Sequence, residues 1–196
     1  MMPTALSHAL SHHDLPAARA TGPGGALVLR VLEPDDGHLV QEVFDHLSPR
    51  SRERRFLAPK PVLTRSDLRQ LLAIDHHDHE ALVALRPEGR PVGIARFVRD
   101  RDRPDTAEVA VAVVDAWQGR GVGTLLATDL SERAREVAVT RFSMMMAHDN
   151  EAAVRLLHRA AGEIERVGWD AGVVEFLVSL APRRTTRSRR ALLKAV

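Results

Sequence analysis

Apolar residues along this chain change rhythm several times, and each change marks an element. From 26 to 32 they run almost unbroken up to Glu33-Pro34, which predicts a buried strand. Beyond Asp35 and Asp36, either of which can cap a helix, Leu39, Val40, Val43, Phe44 and Leu47 recur at helical spacing. Ser48-Pro49 opens a second short helix through Phe56, and Thr64 can cap a third carrying Leu68, Leu71 and Leu72. The pattern then turns extended: 81–86 and 92–98 are strands joined by a Pro- and Gly-containing turn, and a third follows over 107–114. Val122, Leu125, Leu126, Leu130, Ala134 and Val137 form one stripe of a longer helix. A strand at 141–147, a helix from Asn150 ended by Gly162, and strands at 163–167 and 173–179 complete the order. The expected fold is α/β, with a mixed, mostly antiparallel central sheet flanked by helices.

One junction carries chemistry. The strand ending at Val114 is followed by Asp115, Ala116 and Trp117, then by glycines at 119, 121 and 123 at the entry to the long helix. Glycines there bare the backbone N–H groups that a helix start leaves without partners, with the positive end of the helix dipole behind them. Such a loop is built for an anion, most naturally a pyrophosphate. Spacing excludes two familiar loops. No Gly-Lys-Ser/Thr follows four residues after a glycine, and Gly-x-Gly-x-x-Gly counted from Gly119 or Gly121 ends on Thr124 or Leu126.

What does fit is Gln/Arg-x-x-Gly-x-Gly/Ala, filled by Gln118, Gly121 and Gly123. This pattern resembles the acyl-CoA loop of the GNAT superfamily of N-acetyltransferases, and the order of elements over 26–180 is similar to theirs. The segment from Ala107 to Val111 and the block from Asp75 to His79 resemble bacterial protein-lysine acetyltransferase catalytic domains in particular. The resemblance implies acetyl-CoA as cosubstrate and an amine as acceptor, in the first instance a protein lysine. It places the pyrophosphate on Gln118, Gly119, Arg120, Gly121, Val122, Gly123 and Thr124, and the pantetheine arm on the backbone of Val111, Ala112 and Val113. Asn150 falls where the family has an asparagine touching that arm, and it can equally cap its own helix. Arg120, Arg155 and Arg159 are candidate partners for the ribose phosphate.

Acetyl transfer to an amine requires removal of a proton, because a lysine amine with a pKa of about 10.4 is almost wholly protonated at neutral pH. Strand alternation sets Glu108, Ala110 and Ala112 on one face and Val109, Val111 and Val113 on the other. A carboxylate beside two small alanines leaves room for a ligand, and the resemblance assigns Glu108 the role of general base. The chain departs from many relatives in one respect. The position where they carry a tyrosine to protonate the leaving thiolate is Leu157, and there is no tyrosine anywhere. An unassisted thiolate, a water or His158 are the alternatives. With no cysteine and no serine elbow, transfer is expected by direct attack without a covalent enzyme intermediate.

Composition narrows the rest. The formal charge of +2 is unevenly placed, since 6 of the 28 basic residues lie in 181–196, leaving 22 against 26 acids over 1–180. This basic tail has no aromatic residue for stacking bases and reads as a solvated end, so no nucleic acid is expected as partner. Residues 1–25, punctuated by proline and glycine, read as an unstructured segment before an acetyltransferase domain at 26–180. No apolar run is long enough to span a bilayer and no disulfide framework exists, so a cytoplasmic protein without membrane contact is expected. His76, His77, Asp78, His79 and Glu80 invite a metal reading, but adjacent strand residues point to opposite faces, and no metal is expected. Two alternatives to a protein-lysine acetyltransferase stay open: a small-molecule amine N-acetyltransferase, and a non-catalytic acyl-CoA-binding regulator.

Overall fold

The computed structural model describes residues 18–22, 25–160 and 162–180. The chain runs β1 (Ala18–Gly22), β2 (Gly25–Val31), α1 (Gly37–Asp45), α2 (Pro49–Phe56), α3 (Arg65–Leu71), β3 (His79–Leu85), β4 (Pro91–Arg99), β5 (Thr106–Val113), α4 (Val122–Glu136), β6 (Arg141–Ala147), α5 (Glu151–Ala160), β7 (Ile164–Asp170) and β8 (Val173–Ser179). One sheet contains all eight strands in the order β1-β2-β3-β4-β5-β6-β8-β7. Every neighbouring pair is antiparallel except β5 with β6, which is parallel. This is the mixed, mostly antiparallel sheet that the apolar pattern predicts.

The N-terminal segment differs from expectation. Residues 18–22 form β1, paired with β2 from Ala18↔Leu29 to Gly22↔Gly25. The segment carries no apolar period of its own. Backbone pairing to a strand already seated in the core is enough to hold it extended. Residues 1–17, with His8, His12 and His13, and the arginine-rich tail at 181–196 lie outside the described residues.

Strand alternation divides the sheet into two dissimilar faces. On one, Leu82, Ala84, Ala95, Phe97, Ala107 and Val109 pack against Val122, Leu126, Leu130 and Ala134 of α4, all of them buried. On the other, Ala81 and Val83 pack with Leu32, Leu39, Val40 and Ile74 beneath α1, with Leu68 and Leu71 of α3 alongside. Each large apolar side chain buried in this way contributes roughly 1.5–3 kcal/mol, so α4 is seated by its stripe and needs no capping side chain. The short helices α2 and α3 bury no residue fully and depend on their ends instead. Ser48 caps α2 by accepting from the Ser51 amide, with Pro49 in the first turn. Thr64 and Asp67 form a reciprocal capping box on α3. Asp36 stands at the N-cap of α1 but accepts no helix amide through its side chain. Its carboxylate is taken by Arg30 at 2.5 and 2.8 Å and by the Glu33 amide, which together hold its pKa below the ordinary range.

Candidate functional site

The parallel contact between β5 and β6 is short. Thr106, Ala107 and Glu108 pair with Arg141, Phe142 and Ser143, and there the ladder stops, although β5 continues to Val113 and β6 to Ala147. Past Glu108 the two strands part, leaving the β6-facing edge of 109–113 unpaired while β4 holds the other edge. Alternate residues of that stretch direct N–H and C=O groups into the gap, where an extended ligand can add as a further strand would. Val111, Ala112 and Val113 are on this open edge.

Helix α2 straps the mouth of the gap to both jaws. At the end of β5, Asp115 accepts from the Ser48 amide and the Ser51 hydroxyl, each at 2.5 Å. At the end of β6, Arg54 donates to the Asp149 carbonyl and carboxylate at 3.1 and 3.3 Å, and Arg50 reaches the same carboxylate at 3.4 Å.

At the far end of β5 the backbone turns into α4 through Gly119 (φ 72°) and Gly121 (φ 80°). Both values lie in the left-handed region that only glycine enters freely. The first helical bond runs from the Leu125 amide to the Gly121 carbonyl. None of the six amides of Gly119, Arg120, Gly121, Val122, Gly123 and Thr124 has an acceptor among the described residues. Six consecutive unpaired N–H groups, curled by alternating backbone hand at a helix N-terminus, form an anion cradle. Gly123 serves packing as well, since a Cβ there would touch Leu156 of α5 at 3.6 Å. The Gln118 side chain does not face the cradle. It donates inward to Val113 O, Asp115 Oδ1 and Ser51 Oγ at 3.0, 2.8 and 3.3 Å, fixing the shape of the turn.

Glu108 lies on the α1 side of the sheet with Ala110 and Ala112, as alternation predicts. Its side chain is exposed at the base of the gap, five residues before the last residue of β5. At about 3.3 Å per residue, it stands ~16 Å along the strand from the turn that leads to the cradle. Near it opens a cleft lined by Val40, Phe44, Leu47, Leu63, Arg55, Arg96, Ala110 and Ala112, among others. Two guanidinium groups therefore line this cleft, and the Glu108 charge acts on both. Burial lowers the pKa of both, and the Glu108 charge opposes that at each. For Arg96, burial and the nearby Arg55 together bring the value to about 10. Neither arginine stood out in the sequence. Arg96 is legible afterwards as a charge at an inward position of β4, but nothing separates Arg55 from its neighbours Arg50, Arg52 and Arg54.

The remaining candidates are dispersed. Asn150 sits on the β6 jaw and caps α5, accepting from the Ala153 amide at 3.2 Å. Arg120 lies over the Trp117 ring at 5.2 Å, while Arg155 pairs with Glu151 at 3.0 Å on the exposed side of α5. Leu157 is 5% exposed and packs into the core, and the adjacent His158 points to solvent. The histidine block separates: His76 bonds Glu80 and Glu33, His77 bonds Asp78, and the His79 Nδ1–H donates to the Ala73 carbonyl. Among the described residues no three metal-ligating side chains converge. No helix among them is long and apolar enough to cross a membrane.

Comparison with known proteins bears on this arrangement. A model of the acetyltransferase (GNAT) family matches residues 40–162. "Acetyltransferase Pat" of Mycolicibacterium smegmatis is 37% identical over 130 residues, which is 66% of this chain but 38% of that protein. The chain thus spans about two-fifths of the length of that relative. The crystal structure of the GNAT domain of S. lividans PAT superposes with a TM-score of 0.77 at 28% identity, covering 84% of this chain and 97% of the domain. A putative acetyltransferase from Salmonella typhimurium, solved with its cofactor acetyl-CoA, shares the fold at a TM-score of 0.63 and 21% identity, over 81% of this chain and 96% of that one.

Proposed function

This chain belongs to the acetyltransferase (GNAT) family, and from that premise we propose that it transfers the acetyl group of acetyl-CoA to the side-chain amine of a protein lysine, with Glu108 as general base. The observation that carries the reading is the pairing of a run of amides at 119–124 without acceptors in the described residues with an unpaired strand edge that leads from it toward Glu108. Amides 119–124 hold the pyrophosphate, and the backbone of Val111, Ala112 and Val113 takes the arm and offers an N–H to polarise the thioester carbonyl. Residues 26–180, extended by β1 and Gly25 at the edge of the same sheet, form the transferase unit. The lysine acceptor is supported by the resemblance of 107–111 and 75–79 to protein-lysine acetyltransferases.

Bound in this way, acetyl-CoA supplies an activated acyl group: a C–N bond forms to the amine as the C–S bond breaks and its electron pair leaves on sulfur. Glu108 accepts the ammonium proton, directly or through a water, so that the nitrogen lone pair is free to attack. Leu157 leaves the departing sulfur without a tyrosine, and exposed His158 lies outside the core beside it. The proton for the thiolate therefore comes from solvent, to which the nitrogen gives up its remaining extra proton as the amide forms.

Glu108→Gln tests the assignment. Calorimetry should show acetyl-CoA bound with unchanged affinity, while acetylation of lysates or lysine peptides falls by roughly 10²–10⁴. Unchanged transfer would remove Glu108 from the mechanism. Failure of the unaltered protein to bind acetyl-CoA would remove the function itself.

A further inference from the structure

Most of the half-buried arginines in this fold have an evident partner, and Arg135, which has none for its Nε, keeps that nitrogen sealed in the α4 wall. Arg30 binds Asp36, Arg99 binds Asp78 together with the Pro104 and Val137 carbonyls, and Arg133 binds Glu80. Arg55 and Arg96 are different. Each is half-buried, with no hydrogen-bond partner; Arg55 lies over the Phe56 ring at 5.0 Å, both feel the Glu108 charge, and Arg96 also feels Arg55 and acts on His79. Neither has a sealed, unpartnered nitrogen, so both guanidinium groups open into the cleft that they line. Holding two like charges together against apolar walls is costly unless an anion joins them.

Coenzyme phosphates do not fill this role. Strand register sets Arg96 directly beside Ala110 in the middle of β5, whereas the amide cradle lies past the turn that follows Val113, more than about 10 Å further along the strand. Glu108 supplies one negative charge against two positive ones. A singly charged anion balances the cleft, and the planar guanidinium fork matches a carboxylate. The surrounding wall of Val40, Phe44, Leu47 and Leu63 suits the aliphatic portion of such a ligand.

Resting on the transferase reading above, we infer that Arg55 and Arg96 form a carboxylate-binding subsite for the acceptor, so that the protein selects amines whose own molecule bears an acidic group near the reacting nitrogen. Two sources share this chemistry: an aspartate or glutamate flanking an acceptor lysine in a protein, and the α-carboxylate of a free amino acid.

Matched acceptor pairs test the inference. Initial rates are measured with acetyl-CoA on lysine peptides carrying Glu or Gln beside the acceptor, and on free amino acids against their amides. The acidic member of one pair should have a kcat/KM at least about tenfold higher, expressed in KM, and the ratio should fall toward one in Arg55→Met and Arg96→Met. The pair that shows the preference identifies the source. Equal kcat/KM for both members of both pairs overturns the subsite and leaves the transferase reading standing. If no acceptor is acetylated although acetyl-CoA binds, that reading fails instead. NMR titration of the acetylated peptides and amino acids in the presence of coenzyme A then decides the subsite alone. Tighter binding of the acidic forms that is lost in both variants supports it, and no difference between acidic and neutral forms overturns it.

Discussion

On the α4 face of the sheet, Glu80 is 1% exposed, yet its carboxylate is fully occupied. Arg133 donates to it from two nitrogens at 3.0 and 2.6 Å, the Ala81 amide donates at 2.9 Å, and His76 Nδ1 stands at 3.0 Å. On the α1 face, one strand pair away, Arg55 and Arg96 open into a cleft with no hydrogen-bond partner, and Glu108 faces them from β5. Both regions place ionisable groups where solvent is scarce, and only one satisfies them within the fold. The first therefore belongs to stability, and the second is where the acceptor subsite is proposed. On α4 itself the apolar stripe is buried and Arg133 is paired, the Arg135 Nε is sealed without a partner, and the N-terminal amides are open.

The largest effect should come from breaking the closed network. Arg133→Met leaves the Glu80 carboxylate buried with only His76 and an amide to hold it. Removal of one partner of a buried pair costs about 3–5 kcal/mol, and the lower end applies because His76 can take up the charge. Urea unfolding should show a loss of about 3 kcal/mol with acetyl-CoA affinity retained at low temperature. A loss confined to transfer, with stability unchanged, would dissolve the distinction between the faces.

Arg96→Met should move the other way. The pKa of about 10 set by burial and by Arg55 means that the charged form is disfavoured by folding, so removing it relieves a cost while Met preserves the aliphatic packing beside Ala81 and Ala110. A gain of about 1 kcal/mol is expected, typical of trading a functional group for stability, together with a weaker acceptor. Destabilisation beyond about 1 kcal/mol would mean that Arg96 is bonded within the fold after all.

The order of elements was legible because it follows from apolar rhythm, and the anion cradle was legible because glycine spacing is a local property. Alternation alone also sets Glu108, Ala110 and Ala112 on one face. Three things were not legible for reasons that are physical. Strand β1 depends on pairing with β2 and carries no period of its own. Gln118, which the motif assigns to the ligand, is drawn inward by acceptors on three different segments, Ser51, Val113 and Asp115. Arg55 becomes distinctive only because α2 is strapped over the β5–β6 gap, a contact that joins residues nearly a hundred positions apart.

The smallest effect tests the comparison by pH, because the two faces each hold a histidine with opposite sign. His79, on the α1 face, has its pKa lowered by burial and by the Arg96 charge, and its sealed Nε2 has no partner. His76, on the Glu80 side, would be lowered by burial, but hydrogen bonds and charge from Glu80 and Glu33 outweigh that and raise it. Unfolded, both titrate near 6.5. A raised folded value means that His76 contributes its full stabilisation below about pH 6.5 and loses it as pH rises through the folded pKa; the depressed value of His79 means the reverse, with stability present above about pH 6.5 and lost as pH falls through the folded pKa. His76→Asn suits the test because asparagine tolerates the left-handed backbone there (φ 59°). Its deficit in thermal stability should be about 1 kcal/mol or less, greatest near pH 5.5 and fading by pH 8.5. For His79→Gln the pH trend should invert, the deficit growing with pH. A His76→Asn deficit that stays constant across that range would show that the imidazole is held for its shape and not for its charge, and Glu80 would then draw its countercharge from Arg133 alone.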